Sequence, residues 1–92
     1  MKTIYKYPLP VTDEFEVLLP VGARILTVQV QNDTPCLWAE VDAEQTVMAS
    51  HAFNLFGTGH PVPAAPGTYL GTFQLREGRL VFHLYESMLR GG

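Results

Sequence analysis

The chain is poor in charge. Asp, Glu, Lys and Arg make up only 16% of its 92 residues, below the usual share of about 25%. It has a single cysteine, Cys36, which excludes an internal disulfide, whereas a small secreted domain would often carry several. The six basic residues, Lys2, Lys6, Arg24, Arg76, Arg79 and Arg90, are scattered. Non-specific nucleic-acid binding needs clustered positive charge to displace counterions, so nucleic acid is not an expected partner. No apolar run approaches the roughly 18 residues of a membrane span. The opening MKTIYKYPLP lacks the continuous apolar stretch of a signal peptide. The expected setting is a reducing cytoplasm, away from membranes.

Apolar residues amount to 47% of the chain, which with low charge disfavours disorder. A chain of this length buries roughly 60–68% of its unfolded surface and holds one modest core, so residues 1–92 read as a single small β domain. Few charges remain to solvate exposed faces, a composition that favours burying surface against a partner or a second copy.

The main local signal is alternation with period two. Thr3–Tyr7 reads as a strand stopped by Pro8 and Pro10. Glu14–Leu19 alternates with Phe15, Val17 and Leu19 on one side, and Pro20 and Gly22 end it. Arg24–Gln31 places Leu26, Val28 and Val30 on one face and Ile25, Thr27, Gln29 and Gln31 on the other. Asn32-Asp33-Thr34-Pro35 has turn composition, and Cys36–Val41 returns with Leu37, Ala39 and Val41 on the face of Leu26, Val28 and Val30. Gln45–Phe56 alternates through Val47, Ala49, His51, Phe53 and Leu55; a strand is favoured there over a short helix at Ala43–His51. Residues 56–68 hold three glycines and three prolines and read as a loop, because proline cannot donate to a ladder. Tyr69–Leu75 and Arg79–Tyr85 form a second hairpin about Glu77-Gly78, pairing Leu75 with Leu80 and Phe73 with Phe82 as two buried, facing rings. Leu70, Thr72, Gln74, Val81, His83 and Tyr85 take its other face. Residues 87–92 are expected to be a frayed tail.

Several residues invite a chemical role. In Gly57-Thr58-Gly59-His60-Pro61 the glycines expose backbone N–H groups to a phosphate or other ligand, and His60 is a polar contact or proton-transfer group. The stretch lacks the lysine and helix of a phosphate-binding P-loop, so a rigid structural turn is the competing reading. His51, His60 and His83 lack the short spacings of a metal site, and no metal or cofactor is expected. Cys36 has no neighbouring base to activate it and reads as a buried structural thiol. Asp13, Glu14 and Glu16 read as a solvated loop and strand edge. Trp38 falls on the face of Thr27, Gln29 and Gln31, either as a contact surface in which Gln29 adds directional hydrogen bonds or as a second packed face.

Taken together, IYKYPL at 4–9, GARILTVQVQ at 22–31, LWAEVD at 37–42, FGTGHPVP at 56–63, YLGTFQL at 69–75 and LVFH at 80–83 resemble a family of small domains of uncharacterised function encoded mainly by bacteriophages and prophages. The resemblance covers nearly the whole chain and implies a phage-infected or lysogenic bacterial cell, but no activity. Within it Trp38, Gly57, Thr58, Gly59, His60 and Tyr69 are the positions to test.

The expected fold is all-β, a small antiparallel sandwich or partly open barrel of about six or seven strands, whose exposed edges favour a homo-oligomer. The expected function is a non-catalytic accessory binding protein of the host cytoplasm, its ligand a host protein or a small molecule such as a nucleotide signal; the alternative is a minor structural or assembly component of a virion. Candidate ligand-binding residues are Gly57, Thr58, Gly59, His60, Pro61, Trp38, Gln29 and Tyr69. No catalytic residue is assigned.

Overall fold

Alternating apolar and polar side chains can bury one face of a strand while the other stays wet. The computed structural model, which describes residues 1–88, is built from seven such strands: β1 (Lys2–Pro8), β2 (Glu14–Pro20), β3 (Arg24–Gln31), β4 (Thr34–Asp42), β5 (Met48–Gly57), β6 (Thr68–Leu75) and β7 (Leu80–Glu86). All five strand pairings are antiparallel. They make a three-stranded sheet in the order β1-β4-β3 and a four-stranded sheet in the order β2-β5-β7-β6. The two sheets form a sandwich and not a closed barrel.

The first hairpin closes through a two-residue turn, since Gln31 pairs with Thr34. Asn32 and Asp33 have φ of 51° and 59°, the left-handed pair that matches the twist of the flanking strands. The Asp33 carboxylate also accepts the Arg76 backbone N–H at 2.8 Å, tying this turn to the tip of the second hairpin. There Arg79 N–H donates to the Arg76 carbonyl, and Glu77 and Gly78 both have positive φ. Leu75 pairs with Leu80 and Phe73 with Phe82, as the alternation predicts. Residues 48–57 are a strand, not a helix, with Phe53 and Leu55 buried.

The core joins both sheets. Leu37 and Val28 from one pack with Leu19, Phe53, Leu55, Phe73, Leu75 and Leu84 from the other, and Leu9 closes one end. Two bulges change the sidedness that strict alternation predicts. In β3 the register shifts between Ile25 and Thr27. Ile25 therefore packs against the core, and Leu26, expected inside, is 39% exposed. In β6 the shift lies between Tyr69 and Gly71, and Leu70, expected outside, packs on the core. An extra residue in one strand reverses the facing of everything beyond it. Phe82, expected buried, is half-buried on the rim of the cluster.

Loop residues 58–67 return to the sheet through Gly67, with φ of 104°. A Cβ there would overlap the backbone carbonyl oxygen of Glu86, so the loop can close against β7 only with glycine at this position. Of the expected tail, Ser87 N–H still bonds the Ala52 carbonyl, while 89–92 lie outside the described residues. Asp42 accepts the Glu44 backbone N–H and the N-terminal ammonium, and these two contacts hold its carboxyl below the usual range.

Phe73→Ala should lower stability by about 3–5 kcal/mol, from lost transfer energy plus a cavity, and Phe82→Ala by less. Urea unfolding of both variants checks the order. Gly67→Ala should cost about 1–3 kcal/mol in backbone strain alone, before the clash is counted, and the same measurement reads it.

Candidate functional site

The outward face of the four-stranded sheet has an unusual composition. Antiparallel pairing sets Asn54 beside Tyr85 and Phe56 beside His83, then Tyr85 beside Tyr69, His83 beside Thr72 and Val81 beside Gln74. On β5, β7 and β6 this face carries no Lys, Arg, Asp or Glu. Glu14 and Glu16 appear only at its border, on β2.

Two features organise the face. Three rings run across three strands: Phe56 lies edge-on to Tyr85 at 5.6 Å between centroids, and Tyr69 edge-on to Tyr85 at 5.4 Å. Beside them is a continuous hydrogen-bond chain. Tyr69 Oη is 2.5 Å from Thr72 Oγ1, Thr72 Oγ1 is 2.9 Å from His83 Nδ1, and His83 Nε2 is 2.8 Å from Thr58 Oγ1. Both imidazole nitrogens are thus engaged by hydroxyls. Tyr69 remains 54% exposed.

The GTGHP stretch borders this face. His60 N–H donates to the Gly57 carbonyl, and Gly59 has φ of 88°, so Gly57–His60 is a tight turn with glycine at the position requiring positive φ. Thr58 N–H bonds the Val81 carbonyl, pinning the turn to β7. The exposed His60 ring lies over Gly57, where a Cβ would come within 3.0 Å of Nδ1.

Of the residues singled out from sequence, Thr58 and Tyr69 join one network, with Gly57, Gly59, His60 and Pro61 in the turn and loop next to it. Trp38 and Gln29 are elsewhere, on the outward face of the three-stranded sheet. There Trp38 pairs with Lys6 on one side and Thr27 on the other, and Gln29 with Cys36. Trp38 is half-buried beneath the Lys6 side chain, whose Nζ is 6.0 Å from the ring centroid and bonds Gln31 at 2.6 Å. Cys36 is buried in this sheet. A groove of about 1050 Å³ runs between Glu14–Glu16 with Ala52–Asn54 and Pro63–Gly67, using the second half of the loop and not Gly57–Pro61.

Sequence reasoning passed over His83, Thr72, Phe56 and Tyr85 as site residues. The signal was available, because pairing Phe73 with Phe82 places Thr72 opposite His83. The three histidines have separate surroundings: His83 between hydroxyls, His60 over Gly57, and His51 on the inward side, 2.7 Å from Glu86. Among the described residues no group of three or more His, Cys, Asp or Glu is placed to hold a metal ion, and no helix is long and apolar enough to cross a membrane.

A family model described as a domain of unknown function (DUF7352) matches residues 1–90. The chain belongs to this family. The match agrees with the resemblance to a small uncharacterised domain. No curated protein and no solved structure matches significantly. Family membership adds no residue roles, so the outward face of β5, β7 and β6 stands as the candidate site on its own geometry.

Thr72→Val keeps the shape of the side chain but removes the hydroxyl joining Tyr69 to His83. It should cost about 1 kcal/mol by urea unfolding. His60→Ala should leave the melting temperature unchanged within about a degree, because the ring is exposed and outside the core.

Proposed function

We propose that this chain is a non-catalytic accessory binding protein of phage or prophage origin, acting in the bacterial cytoplasm, and that it holds a protein partner on the outward face of β5, β7 and β6. The observation that carries the reading is the charge-free, tyrosine-bearing composition of that face. Protein-binding surfaces are depleted in charge at their centres and enriched in aromatic residues, tyrosine among them. Tyr69 and Tyr85 offer large rigid area with a polar tip at little entropic cost. The GTGHP turn, stiffened by Pro61 and tied to β7 through Thr58, extends the surface at one edge.

A protein fits this face better than a nucleotide does. Phosphate recognition by a glycine turn needs free backbone N–H groups, and those of Thr58 and His60 are already bonded to Val81 and Gly57. No lysine or arginine shares the face. The motif resemblance supports the phage setting.

The test uses the intact chain as bait in bacterial lysate. Tyr69→Ser and Tyr85→Ser should each lose a partner that the unsubstituted chain retains, with melting temperatures showing both still folded. Trp38→Ser, on the opposite sheet, should keep it. Equal retention by all three, or a small molecule carried by the chain in native mass spectrometry, would refute the reading.

A further inference from the structure

Each sheet ends in two edge strands; β3 and β6 lie against each other where the sheets approach, which leaves β1 and β2 as the two outlying edges. Hydrogen bonds at the ends of each ladder fix which backbone groups face outward. Leu9 N–H bonds Pro35 and Ala43 N–H bonds Met1, so along β1 the odd residues bond β4. The N–H and C=O groups of Lys2, Ile4 and Lys6 therefore point away from the sheet. Along β2, Leu55 N–H bonds Asp13 and Val21 N–H bonds Val47, so Glu14, Glu16 and Leu18 present theirs. One free edge reads Lys-x-Ile-x-Lys and the other Glu-x-Glu-x-Leu.

We propose that a second copy of this chain pairs its β2 edge antiparallel to the β1 edge, with Ile4 opposite Leu18 and Lys6 opposite Glu16. Four observations converge on that register. Ile4 and Leu18 are large apolar side chains, 56% and 60% exposed, and they meet on the outward face. Lys6 and Glu16 meet as opposite charges on the same face. On the inward face the register sets Tyr5, itself 43% exposed, against Val17, and Tyr7 against Phe15. Pro8 and Pro20, which cannot donate, fall at the two ends of the ladder and bound it. A slip of two residues puts Ile4 opposite Glu16 and loses the apolar match.

Each edge also discriminates against itself. Centring β1 on Ile4 of another β1 sets Lys2 opposite Lys6, and centring β2 on Glu16 of another β2 sets glutamate against glutamate, both unfavourable. Lys6 now lies across Trp38 toward Gln31, and its flexible stem swings to reach Glu16 of the other copy. Reciprocal use of both edges about a two-fold axis closes the assembly at two chains. This interface is separate from the partner-binding face, so either proposal stands or fails alone.

Light scattering at micromolar concentration should give twice the 10.2 kDa chain mass. Residue-resolved amide exchange should show Ile4, Lys6, Glu16 and Leu18 protected at high concentration and exchanging on dilution, while Val17 and Leu19 stay protected throughout. Glu16→Lys should weaken association about tenfold or more, and adding Lys6→Glu to the same chain should restore it. A monomer at 100 micromolar (about 1 mg/ml), an oligomer whose four edge amides stay unprotected, or no rescue by the double reversal would each overturn the proposal.

Discussion

Burial of one face of each sheet against the other holds this domain together, with Leu19, Leu37 and Leu84 wholly excluded from water. A chain this small has no second core to fall back on. Every strand is therefore committed to keeping one side inward, and the irregularities serve that commitment. The bulge at Leu26 lets Ile25 reach the core although it is one residue out of phase with Val28. The bulge at Leu70 turns that side chain inward and brings Gly71 against Val28, where a Cβ would sit 2.7 Å from the valine methyl. The two shifts lie on β3 and β6, the strands through which the sheets make their closest approach.

That constraint explains what could be read from the chain and what could not. Period-two alternation is a local property, so strands, hairpin registers and most core residues were legible: Phe15, Val17 and Leu19 share a side because nothing interrupts β2. Bulges are decided by the opposite sheet. Nothing in Arg24-Ile25-Leu26-Thr27 announces that Leu26 is the extra residue, because every residue there suits a strand. The site divides the same way. Thr58 and Tyr69 were singled out because glycine, proline and aromatic residues mark them locally. His83 and Thr72 lie in an unremarkable strand pattern and gain meaning only when the hairpin register is combined with the return of the GTGHP turn. Trp38 and Gln29 share a face, as alternation requires, but which sheet lies opposite theirs is a matter of topology.

Low overall charge acquires a spatial meaning in the folded chain. Lys2, Arg24 and Glu40 form ion pairs on the outward face of the three-stranded sheet, exposed pairs that contribute little to stability. Glu14 and Glu16 border the other sheet, and Arg76, Glu77 and Arg79 occupy a hairpin tip. What remains uncharged is the middle of the four-stranded sheet's outward face. A face that water alone covered would gain solubility from charge there. Tyr69, Thr72, His83 and Thr58 bond one another there instead, which holds the Tyr69 ring in place beside Tyr85.

The same bonds set what the face can offer. Thr58 Oγ1 and Thr72 Oγ1 flank the two nitrogens of His83, and because a hydroxyl both donates and accepts, either tautomer of the ring finds a partner on each side. The Tyr69 phenol ends the chain with the same double capacity and stays exposed. It is positioned through side chains of β6, β7 and the GTGHP turn, on a face where β5, β7 and β6 carry no charged side chain to compete for a polar contact. The protein partner proposed for this face would bring a hydrogen-bonding group to Tyr69 and apolar surface to the flanking rings.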